Sequence, residues 1–143
     1  MVNTSQAGAA AGSSFYPIKF TNTSGSTCTL FGYPGVSFSS GPGGNRIGRA
    51  ASRNPAGKPV SVTLASGASA HATVQIAEAG NYSKSACKPV TAHWLKVYPP
   101  NQVTPVFVSF TTQACSAMLP RSTGGQLSIY AMRSGPGKTG KAP

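Results

Sequence analysis

The chain has 143 residues, which is enough for one domain with one hydrophobic core. Only 9% of the residues are charged, whereas about a quarter are charged in an average globular protein. Twelve Lys and Arg residues accompany a single acidic side chain, Glu78, and the net charge is +11. One carboxylate cannot supply the pair that glycoside hydrolysis needs, nor the several that calcium and magnesium sites need. The apolar runs are too short for a membrane-spanning helix.

Short apolar segments separated by Gly, Pro and Ser recur along the chain. In residues 15–21, Tyr16, Ile18 and Phe20 share one face, which is the period of a β-strand. Pro99 and Pro100 end a later apolar segment, because proline cannot donate a hydrogen bond to a strand ladder. The sequence predicts strands at residues 15–21, around residue 28, and at 36–38, 59–64, 69–76, 93–98, 106–111 and 126–132.

Seven or eight short strands at spacings of about ten residues, with no convincing helix, indicate an all-β fold. We expect an antiparallel immunoglobulin-like β-sandwich, with a small β-barrel as the alternative. Residues 15–134 would form this sandwich domain. Residues 1–14 are expected to be a flexible arm or the remnant of a first strand, and residues 135–143 a disordered basic tail.

The chain has three cysteines, so at least one lacks an intramolecular disulfide partner. Cys28 falls in a predicted strand and Cys87 just before another, a placement that suits a bridge between two elements. The alternative is a metal site, but the paired Cys or Cys/His spacing that zinc usually shows is missing. We therefore predict a disulfide between Cys28 and Cys87, with Cys115 unpaired.

A set of spaced segments gives the chain a family resemblance. These segments are Asn22-Thr23-Ser24, Cys28-Thr29-Leu30, Gly32-Tyr33-Pro34-Gly35-Val36, Val62-Thr63-Leu64, Gly67, Ala70-His71-Ala72, Cys87 and Val97-Tyr98-Pro99-Pro100. Over residues 8 to 132 the chain resembles domain-of-unknown-function family 4232, which comprises actinobacterial secreted proteins and lipoproteins. The resemblance implies an exported β-sandwich of the cell envelope, secreted or envelope-bound, whose signal sequence is absent from this sequence. It brings no catalytic residues.

Similar chains usually carry one further cysteine, in a strand upstream of the Gly/Ala-rich segment at residues 8–14. The resemblance implies that this cysteine would be the partner of Cys115, and it is not in this sequence. We therefore expect Cys115 to be a free thiol or to pair between molecules. A missing first strand would leave an open sheet edge, so a homodimer through that edge or through Cys115 is a further expectation.

Catalysis is not expected from these residues. Only Glu78 could orient a histidine in a catalytic triad, and no Gly-x-Ser-x-Gly motif is present. No cofactor is expected either, since phosphate-binding and dinucleotide-binding motifs are missing. The alternative to a binding module is a soft-metal protein, because Cu(I) accepts imidazole and thioether ligands. Its candidate ligands would be His71, His93, Met118 and Met132.

Two groups of residues are candidates for binding. The first is a basic stretch that could hold an anion: Arg46, Arg49, Arg53 and Lys58. It lacks interleaved aromatic residues, so no specific nucleic acid is expected as a partner. The second is an aromatic face that Trp94, Tyr98 and Tyr82 could form, but the sole tryptophan of a sandwich usually packs in the core, so we expect Trp94 there. The expected partners are anionic envelope polymers, anionic lipid or an envelope protein, because the charge of +11 attracts anions.

Overall fold

A computed structural model describes residues 2–3, 8–10, 12–119 and 125–137. The strands are β1 (Val2–Asn3), β2 (Gly8–Ala10), β3 (Ser13–Thr21), β4 (Cys28–Leu30), β5 (Gly35–Ser39), β6 (Arg46–Ile47), β7 (Ser52–Arg53), β8 (Val62–Leu64), β9 (Ser69–Ala77), β10 (Pro89–Tyr98), β11 (Val106–Cys115), β12 (Leu127–Ile129) and β13 (Arg133–Ser134). A 3-10 turn, Ala79–Asn81, and a short helix, α1 (Lys84–Cys87), lie between β9 and β10. Most of the predicted basic tail, residues 138–143, and part of the predicted arm lie outside the described residues.

The strands form two main sheets and a small one. The seven-stranded sheet has the order β1-β3-β9-β12-β7, with β2 also pairing with β3 and β13 with β9. The four-stranded sheet has the order β11-β10-β5-β6, and β4 pairs with β8 alone. Apart from β7 with β12, the strand pairs of the described residues are antiparallel. The prediction of an all-β sandwich is confirmed, and every predicted strand is present.

One continuous core lies between the sheets. The seven-stranded sheet contributes Ile18 and Val74, the four-stranded sheet contributes Phe38 and Leu95, and all four are almost completely buried. Burying such side chains stabilises the fold by roughly 1.5–3 kcal/mol each. Within the described part of the chain no helix is long and apolar enough to cross a membrane.

The disulfide joins Cys87 to Cys115, so the predicted bridge between Cys28 and Cys87 is wrong. The β10–β11 register sets Pro89 opposite Cys115, and α1 brings Cys87 over the same end of β11, with Cα atoms 4.5 Å apart. Cys28 instead pairs across β4 and β8 with Leu64, where its side chain is exposed and free. Because the sulfur of Cys115 is already bonded, it is neither unpaired nor available to link two molecules.

A buried amide joins the two main sheets beside this disulfide. The side chain of Gln126, only 7% exposed, donates to the carbonyl oxygens of Ala77 (3.1 Å) and Gln113 (2.9 Å). Its Oε1 accepts from the backbone N–H of Cys115 at 2.7 Å. Ala77 belongs to the seven-stranded sheet, and the other two residues belong to the four-stranded sheet. One side chain therefore fixes the distance between the two sheets at this end.

The β10–β11 register shifts between Ala92 and Trp94, where Phe110 and Thr111 lie opposite one residue, His93. The shift reverses the alternation along β10, since Ala92 is buried before it and Leu95 after it. Irregularities of this kind re-aim side chains relative to the sheet. Here the shift sends His93 to the exposed surface.

Candidate functional site

The outer face of the four-stranded sheet carries a cluster that we call the lysine–aromatic face: Trp94, Lys96, Tyr98 and Phe107. The first three alternate along β10 with the buried Leu95 and Val97, so they point away from the core. In the neighbouring strand β11, Phe107 lies directly opposite Lys96. All four side chains are half-buried, which leaves part of each accessible.

Lys96 stands between two rings of this face. Its Nζ lies 5.5 Å from the ring centroid of Tyr98 and 5.9 Å from that of Phe107. Both distances fall within the range of a cation–π interaction, which contributes about 0.5–1 kcal/mol at an exposed site. The rings therefore hold the ammonium group above the sheet.

Small residues in the neighbouring strands leave room for the large rings. Gly35 lies opposite Tyr98, and a Cβ atom at Gly35 would come within 3.4 Å of the Cβ and Cδ2 atoms of that tyrosine. The exposed Ser109 lies opposite Trp94 on the β11 side. A serine covers little of a neighbouring indole, so Trp94 keeps an accessible surface that a larger side chain would take up.

Of the four residues of the predicted anion site, only Arg46 and Arg49 come together. Arg46 and Arg49 line a cleft of about 470 Å³ together with Met118, and Nε of Arg49 donates to the carbonyl oxygen of Leu119. Arg53 instead stacks over the ring of Tyr33, 5.3 Å from its centroid.

Lys58 lies elsewhere again, beside Arg133. The carbonyl oxygen of Lys58 accepts a hydrogen bond from the guanidinium of Arg133 at 3.1 Å, and the side chain of Lys58 is exposed. The predicted site therefore separates into three places on the surface, each with its own neighbours.

The candidate soft-metal ligands also occupy separate places. His71 lies in β9, with Nδ1 3.0 Å from the carbonyl oxygen of Gly135, whereas His93 is exposed in β10 of the other sheet. Met118 is 52% exposed and Met132 is completely buried in the core. Across residues 12–119 and 125–137, no three His, Cys, Asp or Glu side chains converge as a metal site would require.

The expectation that Trp94 packs in the core is wrong, and only two of the three candidate aromatic residues share a face. Trp94 and Tyr98 share the outer face of β10, but Tyr82 follows the 3-10 turn and donates its hydroxyl proton to the carbonyl oxygen of Gly125 at 3.0 Å. Partial burial raises the pKa of Tyr82 above its usual value of 10.0. Sequence reasoning missed Lys96 and Phe107, which become neighbours of the other two only in the β10–β11 register.

One comparison with known proteins identifies a family. The family model described as "Domain of unknown function (DUF4232)" matches residues 1–133, which is nearly the whole chain. No curated protein and no solved structure matches the chain. The chain therefore belongs to this family of unknown function.

Proposed function

We propose that this domain is a non-catalytic, exported module of the cell envelope that binds an acidic glycan polymer on the lysine–aromatic face. One observation carries the proposal: an ammonium group is held between the rings of Tyr98 and Phe107, on the same outer face as Trp94. Such a face offers stacking surfaces and a positive charge to one ligand.

The chemistry of acidic sugars fits that combination. A pyranose ring presents one face of C–H groups, which packs against the electron-rich face of an aromatic ring. A carboxylate or phosphate on the same or the next sugar would pair with Nζ of Lys96. The exposed hydroxyl of Ser109 beside Trp94 can donate to a ring hydroxyl group.

The overall charge favours an anionic polymer over a neutral one. A net charge of +11 with a single acidic side chain attracts polyanions from all directions and speeds their encounter with the protein. This attraction is generic, so specificity would come from the lysine–aromatic face. Arg46 and Arg49, which line a separate cleft, would add to the electrostatic attraction for polyanions but would not distinguish one sugar from another.

The disulfide supports an exported location, because such bonds persist in oxidising compartments and are rare in the cytosol. An actinobacterial envelope is the setting that the family resemblance suggests. There the abundant anions are wall polymers and lipid headgroups. The accessible parts of the aromatic rings favour the sugar-containing polymers, since a phosphate headgroup alone offers no ring to stack on.

The sole tryptophan makes the test direct. We expect polygalacturonic acid to change the emission of Trp94 and to bind at physiological salt, whereas neutral dextran does not. Phe107→Ala and Lys96→Gln should each weaken binding roughly tenfold, equivalent to about 1.4 kcal/mol. Lys58→Gln removes the same charge from a distant exposed position and should leave the affinity within twofold.

Generic charge attraction gives a different result. If inorganic polyphosphate binds as tightly as the acidic glycan at physiological salt, or if Lys58→Gln weakens binding as much as Lys96→Gln, the proposal is wrong. Preferential binding to phosphatidylglycerol vesicles over the glycan would also overturn it, in favour of a membrane-surface role.

A further inference from the structure

A second cleft, which we call the rim cleft, opens at the end of the sandwich that carries the disulfide. It has a volume of about 540 Å³, within the range of small-molecule sites. Strands β3 and β9 form one wall, and the end of β11 with the β9–β10 connection forms the other. The residues that line it include Tyr16, Ile76, Glu78, Tyr82, Lys84 and Gln113.

The only acidic side chain of the protein lies in this cleft. Glu78 is exposed at the start of the 3-10 turn, and its carboxylate makes no capping hydrogen bond there. Glu78 is held in place by its backbone, since its N–H donates to the carbonyl oxygen of Gly12 at 2.9 Å. No ion pair involves this carboxylate among the residues that the structure describes.

Two aromatic side chains line the same cleft as this carboxylate. The ring of Tyr16 is held edge-to-face against Phe110, with centroids 4.7 Å apart and an interplanar angle of 83°. The ring of Tyr82 is fixed by the bond from its hydroxyl to Gly125. A cleft that contains both a carboxylate and tyrosine rings can attract an ammonium group, through ion pairing and through the ring quadrupole.

The walls of the rim cleft are fixed before any ligand arrives. The Cys87–Cys115 disulfide holds the β9–β10 connection on β11, and the amide of Gln126 ties Ala77 to Gln113. A side-chain bond from Asn81 to the carbonyl oxygen of Gly12, at 2.7 Å, ties the 3-10 turn to the start of β3. Such pre-organisation lowers the entropy cost of binding.

We propose that the rim cleft binds a small amphipathic zwitterion, with its ammonium group at Glu78 and its carboxylate at Lys84. The apolar part would pack on Tyr16, Tyr82 and Ile76. The protein carries a net charge of +11, and Glu78 is its only side chain that offers an ammonium group a counter-charge. This site is separate from the lysine–aromatic face and does not depend on the glycan proposal.

The dipeptide Ala-Phe is a suitable probe, with derivatives that remove one charge at a time. In NMR titrations at millimolar dipeptide, we expect amide shifts at Gly80, Tyr82 and Gln113 but not at the lysine–aromatic face. N-acetyl-Ala-Phe should bind about tenfold more weakly, the loss expected for a charge-assisted hydrogen bond. Ala-Phe-amide should also bind more weakly, because it cannot pair with Lys84.

Variants assign each charge to its residue. Glu78→Gln should weaken Ala-Phe about tenfold and leave the acetylated peptide unchanged, and Lys84→Gln should affect Ala-Phe but not its amide. Both side chains are exposed, so the NMR spectrum of each variant should remain that of the folded protein. Lys58→Gln is the matched control for the lost charge. No amide shifts in the rim cleft, or equal binding of the free and acetylated peptides, would overturn the proposal.

Discussion

Two long connections pass between sheets, and they are held in place by different means. Residues 78–88, which we call the pinned crossover, join β9 to β10. A buried disulfide and a small apolar cluster of Cys87, Cys115, Leu119, Ala79 and Tyr82 fix them to β11. Residues 40–61, the arginine loop, join β5 to β8 and include only the two-residue strands β6 and β7.

The arginine loop is held mainly by single backbone bonds and by the surface contacts of its side chains. Ala51 bonds to Val36 and Asn54 to Ile129, each at 2.8 Å. Since few apolar groups of this loop are buried, most of its contacts should contribute little to stability. The comparison indicates that the basic residues, which are 12 of the 13 charged residues, are not what holds the sandwich together. Four variants, each compared with the wild type by its free energy of unfolding, can test this.

The largest effect is expected from the disulfide. Closing a loop with a sequence separation of 28 contributes about 3–4 kcal/mol in the chain-entropy model. The double variant Cys87→Ala with Cys115→Ala should therefore lose about that much in urea unfolding. In this variant the pinned crossover is no longer bonded to β11. The amide hydrogens around the rim cleft should therefore exchange faster than in the wild type.

Cys28→Ser is the control for this double variant, because Cys28 is exposed and free. It should change the free energy of unfolding by less than about 0.5 kcal/mol. The native protein should take up one iodoacetamide group, at Cys28. Labelling at Cys115 instead would restore the pairing that the sequence predicted and contradict the structure.

Gln126→Leu should have the second-largest effect. The substitution leaves the N–H of Cys115 and the carbonyl oxygens of Ala77 and Gln113 without their side-chain partner, inside the protein. Unpaired buried polar groups cost about 1–3 kcal/mol. We expect a loss of about 2 kcal/mol in urea unfolding, with an unchanged dependence on urea concentration. A loss below that of Cys28→Ser would show that the sheets are spaced without this amide.

The strands could be predicted from the sequence because burial with a period of two is a local property. Ala70, Ala72, Val74 and Ile76 are buried along β9 as that period requires. The same period would put His93 on the buried face with Leu95, but His93 is exposed because the β10–β11 register shifts by one residue between Ala92 and Trp94.

The candidate sites depend on which strand ends meet, and this is not a local property. Cys28 and Cys87 each lie at a suitable point of the sequence, but the cysteine whose Cα atom lies 4.5 Å from that of Cys87 is Cys115, at the end of β11. In the same way, Phe107 joins Lys96 only through the hairpin register. The sequence could identify the candidate residues Trp94 and Tyr98, but not the neighbours that complete the site.

Tyr82→Phe should have a smaller effect, and one that depends on pH. Losing the hydrogen bond to Gly125 costs about 1 kcal/mol near neutral pH. Because burial raises the pKa of Tyr82 in the folded protein, the unfolded chain loses this proton first as the pH rises above about 10. The contribution of Tyr82 to stability is therefore constant below that pH and falls above it. The unfolding free energy should fall more steeply with alkaline pH in the wild type than in Tyr82→Phe, and equal slopes would contradict this assignment.

The smallest effect is expected in the arginine loop, from Arg53→Gln. Its guanidinium lies 5.3 Å from the ring centroid of Tyr33 in an exposed position, where a cation–π contact contributes about 0.5–1 kcal/mol. Arg46→Gln removes the same charge from an exposed position in β6 and serves as the control. The difference in unfolding free energy between the two variants should be about 0.5 kcal/mol at low salt, measured from their urea midpoints. A loss from Arg53→Gln as large as that from Gln126→Leu would mean that the arginine loop supports the sandwich as strongly as the buried amide does, and the contrast between the two connections would disappear.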